Sequence, residues 1–382
     1  MIYITTMQHR KPHQITWEDV IADKEIFNDF ANDKSNSTAT ITRRYEKIDP
    51  AIVAKFNAEK AIAWLKKFNE DNKEIYENDK QNYYRSFKIP KSSGGFRQID
   101  APNDALQEQL RRLVKFISED CGVLYHTSAF AYIKGRSIVD CLRKHQKNES
   151  EWFLKTDISG FFPNTTIEFV MKMAAMIFPL SEIVNRQDGY EEFKKAISLG
   201  FLNGGLPQGT SASPCITSWM YLPIDFELFN ELAHRKMVYT RYADDMLVSA
   251  QEQFKKDEIV QLIKDTLKKF EAPHELKNEK TRFGSRRGQN WNLGLMLGAE
   301  NRITVGYRAK KYLKSALCSF ILDTKNGNYW DLDDVNHLRG QLSYYTMVEP
   351  DYFNEIINHQ GEKWGVNVRE MFKRYLNGSM IA

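Results

Sequence analysis

The sequence is poor in cysteine and has no long apolar run. Its four cysteines lie far apart and form neither a CxxC pair nor a Cys/His metal spacing, which excludes a disulfide scaffold and a zinc module. We therefore expect reduced, mostly buried thiols. No stretch approaches the ~18 apolar residues of a membrane span, and the N-terminus lacks the apolar core of a signal peptide. The sequence thus predicts a cytosolic protein that is neither secreted nor membrane-spanning.

A strong excess of either charge is also missing. The chain has 54 Lys and Arg against 50 Asp and Glu, a formal net charge of +4, so any nucleic-acid surface must be a local basic patch. With 382 residues, 42% of them hydrophobic, the chain is long enough to bury a large core. We expect two or three subdomains around one catalytic unit.

Residues 1–82 carry no chemical signature. Apolar spacing predicts helices from Ile15 to Phe30 and from Pro50 to Phe68, with a polar loop between them. We interpret this region as a helical N-terminal extension. The functional alternative is a surface that holds RNA, for which the candidates are Arg43, Arg44 and Lys47.

The stretch from Met237 to Ser249 contains two adjacent carboxylates. Its Val, Tyr, Thr and Leu residues predict two short strands that meet at a turn holding Asp244 and Asp245. Neighbouring aspartates repel each other and resist burial, so a compensating divalent cation is one interpretation. A solvated hairpin tip is the other, because short motifs have many false positives.

A third aspartate has a matching setting. The apolar strand that begins at Trp152 ends at Asp157, and the chain then turns through Gly160 before Pro163 starts a new element. Asp157 and Asp244 could together bridge two Mg²⁺ ions, which lie roughly 3.5–4 Å apart in two-metal sites of phosphoryl transfer. Hard oxygen ligands suit Mg²⁺. The pair of Asp157 and Asp244 therefore favours a metal site over a solvated hairpin tip.

Two basic segments could bind phosphate. Residues 87–100 read as strand, Gly-rich turn and strand, with Lys91 and Arg97 beside the turn, and a guanidinium fork suits a triphosphate. Such hairpins are also common as solvated surface. Further along, Arg136 precedes a predicted helix whose first N–H groups could bind a phosphate.

A Gly-rich segment and a basic helix complete the pattern. Glycines around Gln208 in the segment from Gly204 to Pro214 let backbone approach a ligand closely. The helix predicted from Val305 to Ile321 has a cationic side that could neutralise nucleic-acid phosphates or could be a solvated face. Its basic residues are Arg308, Lys310, Lys311 and Lys314.

These motifs resemble, in order and spacing, the palm motifs of reverse transcriptases. The resemblance rests on Asp157 with Phe162, the Leu206–Gly209 run with Ser213 and Pro214, and the sequence Tyr-Ala-Asp-Asp at 242–245, and it extends over residues 83–300. Flanking segments resemble the fingers hairpin, the palm segment that carries a lysine and the primer grip. They span residues 89–97, 276–281 and 292–295.

The resemblance implies a role for each matching residue. Asp157 and Asp244 would be the principal metal ligands, supported by Asp245 and the Ile158 carbonyl. Lys280 would donate a proton to the departing pyrophosphate, a general-acid role. The dNTP would contact Phe162, Lys91, Arg97, Gln208 and Gly209, and the Phe162 ring would clash with a 2′-OH. Nucleic acid would contact Arg136, Tyr242 and the four basic residues of the 305–321 helix.

The implied fold is an α+β right-hand polymerase with fingers, a palm with an antiparallel sheet and a helical thumb. We predict the helical extension over 1–82, fingers and palm over 83–300, and the thumb over 301–382. The implied function is RNA-directed DNA synthesis with two Mg²⁺ ions and dNTPs, using a dedicated noncoding RNA in bacterial anti-phage defence. The expected partners are that RNA and its cDNA, an effector or toxin protein and a second copy of the chain, in the bacterial cytoplasm without a membrane.

The subtype resembles retron enzymes and the neighbouring defence-associated reverse transcriptases equally. The retron pattern Asn-Ala-x-x-His is reduced here to His145, and Asn292-Leu293-Gly294 stands where retrons show Val-Thr-Gly. Both departures put a branched RNA–DNA product in doubt. Two alternatives stay open, namely template-independent or protein-primed DNA synthesis, and a non-catalytic RNA-binding scaffold.

Overall fold

The computed structural model describes residues 56–378, except for 92–93, 287–290, 292–293 and 299. The N-terminal candidates Arg43, Arg44 and Lys47 lie outside the described residues, as do Asn292 and Leu293 of the expected primer grip. The chain divides into two compact units between Gly284 and Ser285. This contact boundary is distinct from the functional boundary predicted at residue 300, which stays a prediction.

An antiparallel sheet lies at the centre of the first unit. Strand β3 pairs with β5, β6 and β7, and β5 also pairs with β4. The β4–β5 hairpin is the one predicted from the 237–249 stretch, and it joins Tyr242 to Asp245 in register. The strands of this sheet are β3 (Trp152–Ser159), β4 (Val238–Tyr242), β5 (Asp245–Ala250), β6 (Glu275–Leu276) and β7 (Arg282–Ser285).

Helices cover this sheet and provide most of the core. Buried sheet residues such as Leu154 and Val248 share one apolar cluster with helical residues such as Trp219 and Leu228. The helices are α1 (Ala58–Asp71), α2 (Lys73–Glu77), α3 (Asp104–Lys115), α4 (Ile138–Lys147), α5 (Ile167–Ala174), α6 (Leu180–Val184), α7 (Gln187–Ser198), α8 (Ala212–Met220), α9 (Leu222–His234) and α10 (Lys256–Lys269). Among the described helices none has both the length and the apolar composition of a membrane span.

The start of α1 corrects one predicted boundary. The helix expected from Pro50 begins at Ala58, because the side chain of Asn57 caps it by accepting a hydrogen bond from Lys60 N at 2.9 Å. Asn57 satisfies one of the N–H groups that a helix start leaves without a partner. Pro50, the predicted start, lies outside the described residues, and within them α1 begins after Asn57.

The predicted hairpin of residues 87–100 is present. Strands β1 (Tyr84–Pro90) and β2 (Phe96–Pro102) pair antiparallel along their whole length. Gly94 and Gly95 both have positive φ, at 87° and 77°, a conformation that glycine adopts without a steric penalty. The amide of Asp100 in β2 donates to the carbonyl of Gln208 at 2.7 Å, which fixes the hairpin base to the predicted Gly-rich segment.

In its described residues, the second unit contains four helices and a short two-stranded sheet. The predicted basic helix is α11, which starts two residues later and ends later than expected. Its apolar side is buried as predicted, with Leu313, Leu317 and Phe320 inside the unit. The elements are β8 (Met296–Leu297), β9 (Ile303–Thr304), α11 (Tyr307–Lys325), α12 (Leu332–Val348), α13 (Pro350–Trp364) and α14 (Val368–Leu376).

Candidate active site

The three predicted aspartates come together at one end of the central sheet. Asp157 near the end of β3 is the register partner of Asp245 at the start of β5. The amide of Ile158 donates to the carbonyl of Asp244 at 3.0 Å, so the turn of the β4–β5 hairpin is fixed to β3. Ala243 makes this turn with a φ of 57°. Asp157 is distant in sequence from Asp244 and Asp245, and the pairing of β3 with β5 makes it their neighbour.

The electrostatics of this group reflect three carboxylates brought together in a largely buried place. Desolvation, reinforced by the charges of Asp157 and Asp245, raises the pKa of Asp244 to about 6. Desolvation also raises the pKa of Asp245, although Lys155 opposes the rise. Both shifts arise because burial and like charges disfavour an ionised carboxylate. A bound cation would oppose both shifts, because an opposite charge favours the ionised carboxylates.

Two lysines already pair with two of the carboxylates. Lys280 Nζ lies 2.8 Å from Asp157 Oδ2, and Lys155 Nζ lies 2.8 Å from Asp245 Oδ2. The Lys155 pair is the more enclosed, with side chains 16% and 14% exposed, whereas the Lys280 side chain is 50% exposed. Asp245 is therefore held by a neighbouring cation, and Lys280 has room to move.

The residues present fit Mg²⁺. Among the described residues, no group of three His, Cys, Asp or Glu side chains converges into a ready-made metal cage. Mg²⁺ does not need one, since it is usually bound by one or two carboxylates and fills its shell with waters and substrate phosphates. Asp157 and Asp244 provide that pair of hard oxygen donors. The roles of Asp245 and the Ile158 carbonyl as further ligands stay predictions.

Phe162 and the Gly-rich segment lie against each other. The carbonyl of Phe162 accepts from Leu206 N at 3.0 Å. Gly205 permits this approach, because a Cβ there would lie 2.1 Å from the carbonyl oxygen of Pro163. The half-buried Phe162 ring therefore stands next to the segment that carries Gln208.

Gln208 and Gly209 have two features of a ligand site. The side-chain oxygen Oε1 of Gln208 is buried without a hydrogen-bond partner in the part of the chain that the structure describes, and such an acceptor is costly unless something binds it. Gly209 has a φ of 119°, and a Cβ there would lie 2.9 Å from Ile99 in β2. The segment is thus closely packed against the hairpin and presents a polar group with no protein partner.

The basic residues predicted to bind phosphate fall into two groups. Lys91 and Arg97 are exposed on the β1–β2 hairpin. The guanidinium of Arg136, in contrast, donates to the carbonyls of His126 and Ala129. Its helix, α4, begins with a capping box in which Ser137 and Asp140 satisfy the first N–H groups. Lys91 and Arg97 on the hairpin are therefore accessible to a ligand, whereas the guanidinium of Arg136 is hydrogen-bonded to backbone carbonyls.

Tyr242 lies next to the carboxylates, at the end of β4. It is the register partner of Asp245, and desolvation raises the pKa of its hydroxyl, to which Cys141 contributes. Its predicted contact with nucleic acid stays a prediction.

In the second unit the four predicted cations also differ from one another. Arg308, Lys311 and Lys314 are exposed on α11. Lys310 Nζ instead lies 2.5 Å from Glu349 Oε1 and 4.3 Å from the centre of the Tyr352 ring. Lys310 is therefore tied to α13, and only three of the predicted four form an exposed basic face.

Sequence reasoning missed a buried ion pair behind the turn. Arg241 in β4 and Asp225 in α9 have side chains only 2% and 0% exposed, with Nη2 and Oδ2 2.7 Å apart. Arg241 Nη1 also donates to the carbonyl of Ala243 at 3.1 Å, directly before Asp244. One signal was available, an aspartate inside the apolar segment 222–229, since a buried carboxylate requires a partner.

The comparisons with known proteins identify the family. A family model described as reverse transcriptase (RNA-dependent DNA polymerase) matches residues 89–313, more than half of the chain. This chain belongs to the reverse transcriptase family. The predicted α+β right-hand polymerase fold is thereby confirmed, and so is the predicted activity class of an RNA-directed DNA polymerase.

Retron enzymes are among the relatives of this reverse transcriptase. It is similar to the retron Ec83 reverse transcriptase of Escherichia coli, with 27% identity over 78% of this chain and 91% of that protein. It is also similar to the retron Ec73 reverse transcriptase of Escherichia coli, with 23% identity over 71% of this chain and 85% of that protein. The predicted bacterial reverse transcriptase of a retron-like or defence-associated branch is thus confirmed in its family and in its similarity to retron enzymes, and the choice between the two branches stays a prediction.

A solved structure gives a weaker likeness. Telomerase from Candida albicans, in complex with a TWJ fragment of telomeric RNA, aligns at 12% identity and a TM-score of 0.41, over 78% of this chain and 61% of that chain. A TM-score this low adds nothing to the family assignment.

Proposed function

We propose that this reverse transcriptase copies a dedicated noncoding RNA into DNA in bacterial anti-phage defence, using dNTPs and two Mg²⁺ ions at Asp157 and Asp244. One observation carries the active-site part of the proposal. The hydrogen bond from Ile158 N to Asp244 O and the register of Asp157 with Asp245 bring both carboxylates to one end of the sheet. The defence setting rests on family analogy alone, and the relatives are bacterial retron reverse transcriptases.

The chemistry would be positioning and electrostatics, as in other phosphoryl transfers. Bound Mg²⁺ would neutralise charge on the attacking and leaving oxygens. Asp157 and Asp244 would hold the metals, and Asp245, paired with Lys155, would keep the turn in place. Lys280 Nζ lies 2.8 Å from Asp157 Oδ2 on a side chain that is 50% exposed, and it would donate a proton to the leaving pyrophosphate.

The remaining predicted residues would select and orient the nucleotide. Lys91 and Arg97 are accessible for a triphosphate, which suits their charge. The Phe162 ring would exclude a 2′-OH. The unpartnered Oε1 of Gln208 would gain a hydrogen-bond donor from the bound nucleotide or template, which relieves the cost of its burial.

The same proposal names the partners. The RNA and its cDNA would bind the exposed cations of α11, namely Arg308, Lys311 and Lys314. The effector or toxin protein, the second copy of the chain and the bacterial cytoplasm stay predictions from the resemblance.

Sequencing the nucleic acid that copurifies with the protein tests the proposal. RNA and DNA strands would be sequenced from cells expressing the wild type, Asp244→Ala, or Asp257→Ala as a control at an exposed aspartate of α10. We expect a defined RNA with its cDNA for the wild type and the control, and RNA without cDNA for Asp244→Ala. Homopolymeric DNA would instead indicate untemplated synthesis, and RNA alone in all three samples would indicate a non-catalytic scaffold.

A further inference from the structure

Tyr132 has an exposed ring on a strained backbone. Its side chain is 53% exposed, and its φ is 61°. A left-handed conformation is unfavourable for a residue with a bulky side chain. Backbone strain of this kind persists where the surrounding structure imposes it, and it is concentrated at functional sites. The exposed ring and the strained backbone of Tyr132 are both unfavourable, and packing within its own loop explains neither.

The loop around Tyr132 is held from both sides. The amide of Phe130 donates to the carbonyl of Arg241 at 2.9 Å, and the hydroxyl of Ser218 donates to the carbonyl of Ala131 at 3.3 Å. Arg136 donates to the carbonyl of Ala129 at 2.6 Å. These bonds connect the loop to β4 and α8, so the backbone that carries Tyr132 is held in place without a ligand.

The ring of Tyr132 faces the residues that surround the carboxylates. Its centre lies 6.5 Å from the centre of the Phe162 ring, with 40° between the ring planes, so the two rings lie beside each other as a tilted aromatic pair. Partial desolvation raises the pKa of the Tyr132 hydroxyl; Asp244 and Tyr242 add to the rise, and Arg97 opposes it. The hydroxyl is thus within electrostatic reach of a carboxylate and of a hairpin cation.

We propose that Tyr132 is a specificity-determining residue of the nucleotide pocket, where its ring lies beside the Phe162 ring and the two together contact the sugar and base of the incoming nucleotide. This rests on the proposed function of the same site. An aromatic face stacks on any base or sugar without reading sequence. A nucleotide bound there would also cover the exposed ring. Because the loop backbone is held in place, the Tyr132 ring would resist displacement by an additional 2′-OH.

Nucleotide binding without turnover tests the proposal. The probe is dTTP or UTP, bound with Mg²⁺ to the full chain on a duplex of RNA template and DNA primer whose primer ends in a dideoxynucleotide. Tyr132→Gly removes the ring and relieves the backbone strain, and Tyr132→Phe removes only the hydroxyl. Glu149→Gly is the control, since Glu149 is exposed and has a φ of 52°, at the other end of β3 from Asp157.

We expect Tyr132→Gly to weaken dTTP binding about tenfold, the size of one lost stacking contact, and to narrow the preference for dTTP over UTP. Tyr132→Phe should stay within about twofold of the wild type because it keeps the ring, and Glu149→Gly should be unchanged. If Tyr132→Gly does not fold, Tyr132→Asn replaces it, since Asn tolerates the left-handed conformation.

The outcomes separate this inference from the proposed function. Wild-type dTTP affinity in Tyr132→Gly would overturn the inference and leave polymerisation untouched. Weakened binding in that variant, with no extension of an unblocked primer by the wild type, would support the pocket and contradict the proposed function. A wild type that binds no dTTP on the duplex would overturn both.

Discussion

The buried pair of Arg241 and Asp225 allows a quantitative test of what holds the catalytic turn. Arg241 Nε and Nη2 contact the two carboxylate oxygens of Asp225 at 2.8 and 2.7 Å, and Tyr239 donates to the same carboxylate at 2.9 Å. Replacing Arg241 with Met leaves the carboxylate buried without its cation. Breaking a buried pair in this way costs about 3–5 kcal/mol, because the remaining charge is desolvated and unpaired.

Urea unfolding, followed by far-ultraviolet circular dichroism, would measure this loss. Arg241→Met should lower the free energy of unfolding by about 3–5 kcal/mol. The triple variant Arg241→Met, Asp225→Leu, Tyr239→Phe removes the charges and the hydroxyl together, and it should lie within about 1–2 kcal/mol of the wild type, since apolar replacement of a whole buried network is often close to neutral.

Activity adds a second readout to the same variants. Arg241 Nη1 donates to the carbonyl of Ala243, so the triple variant should recover stability without recovering the full rate of nucleotide addition. A single variant that loses less than about 1 kcal/mol, or a triple variant no more stable than the single one, would refute the assignment of Arg241 as an internal support whose charge must be balanced.

Two further predictions concern the carboxylates and the Gly-rich segment. The pKa of Asp244 is raised to about 6. In metal-free protein the native state therefore binds a proton at Asp244 at a higher pH than the unfolded chain does. The free energy of unfolding should therefore rise as the pH falls from 7 through 6 towards 5. Thermal melts should show this rise in the wild type but not in Asp244→Asn. An equal rise in both proteins would contradict the prediction. Gly205→Ala should lower the melting temperature by several degrees, since its Cβ would lie 2.1 Å from the Pro163 carbonyl oxygen. The control is Gly340→Ala, whose Cβ meets open space and which should leave the melting temperature unchanged or raise it. Equal melting temperatures for the two variants would contradict the packing described.

The sequence predicted the parts of the site that local pattern encodes. Alternating apolar residues and turn residues predicted the hairpin that carries Asp244 and Asp245, and the end of an apolar strand predicted the place of Asp157. The basic hairpin followed from the same rules, because glycines at positive φ are locally determined. Order and spacing of these motifs then sufficed to predict the family.

Pairings between distant side chains could not be predicted in this way. The partners of Lys155, Arg241 and Lys310 depend on strand register and helix packing, which no single segment contains. The same holds for Tyr132, whose backbone conformation is imposed by bonds to β4 and α8. The start of α1 was misplaced for a different reason, since the apolar spacing continues on the N-terminal side of Asn57, whose side chain caps the helix.

Nucleotide addition by three aspartate variants is the most direct test of the central claim. A primer on an RNA template would be extended by one nucleotide at saturating Mg²⁺, using Asp157→Asn, Asp244→Asn and Asp245→Asn, with Asp257→Asn as the exposed control. The account predicts losses of about 1,000-fold or more for the first two variants. For Asp245→Asn, whose partner is Lys155, it predicts about 10–100-fold, and for the control no loss. Addition at a near wild-type rate by Asp244→Asn or Asp157→Asn would contradict it.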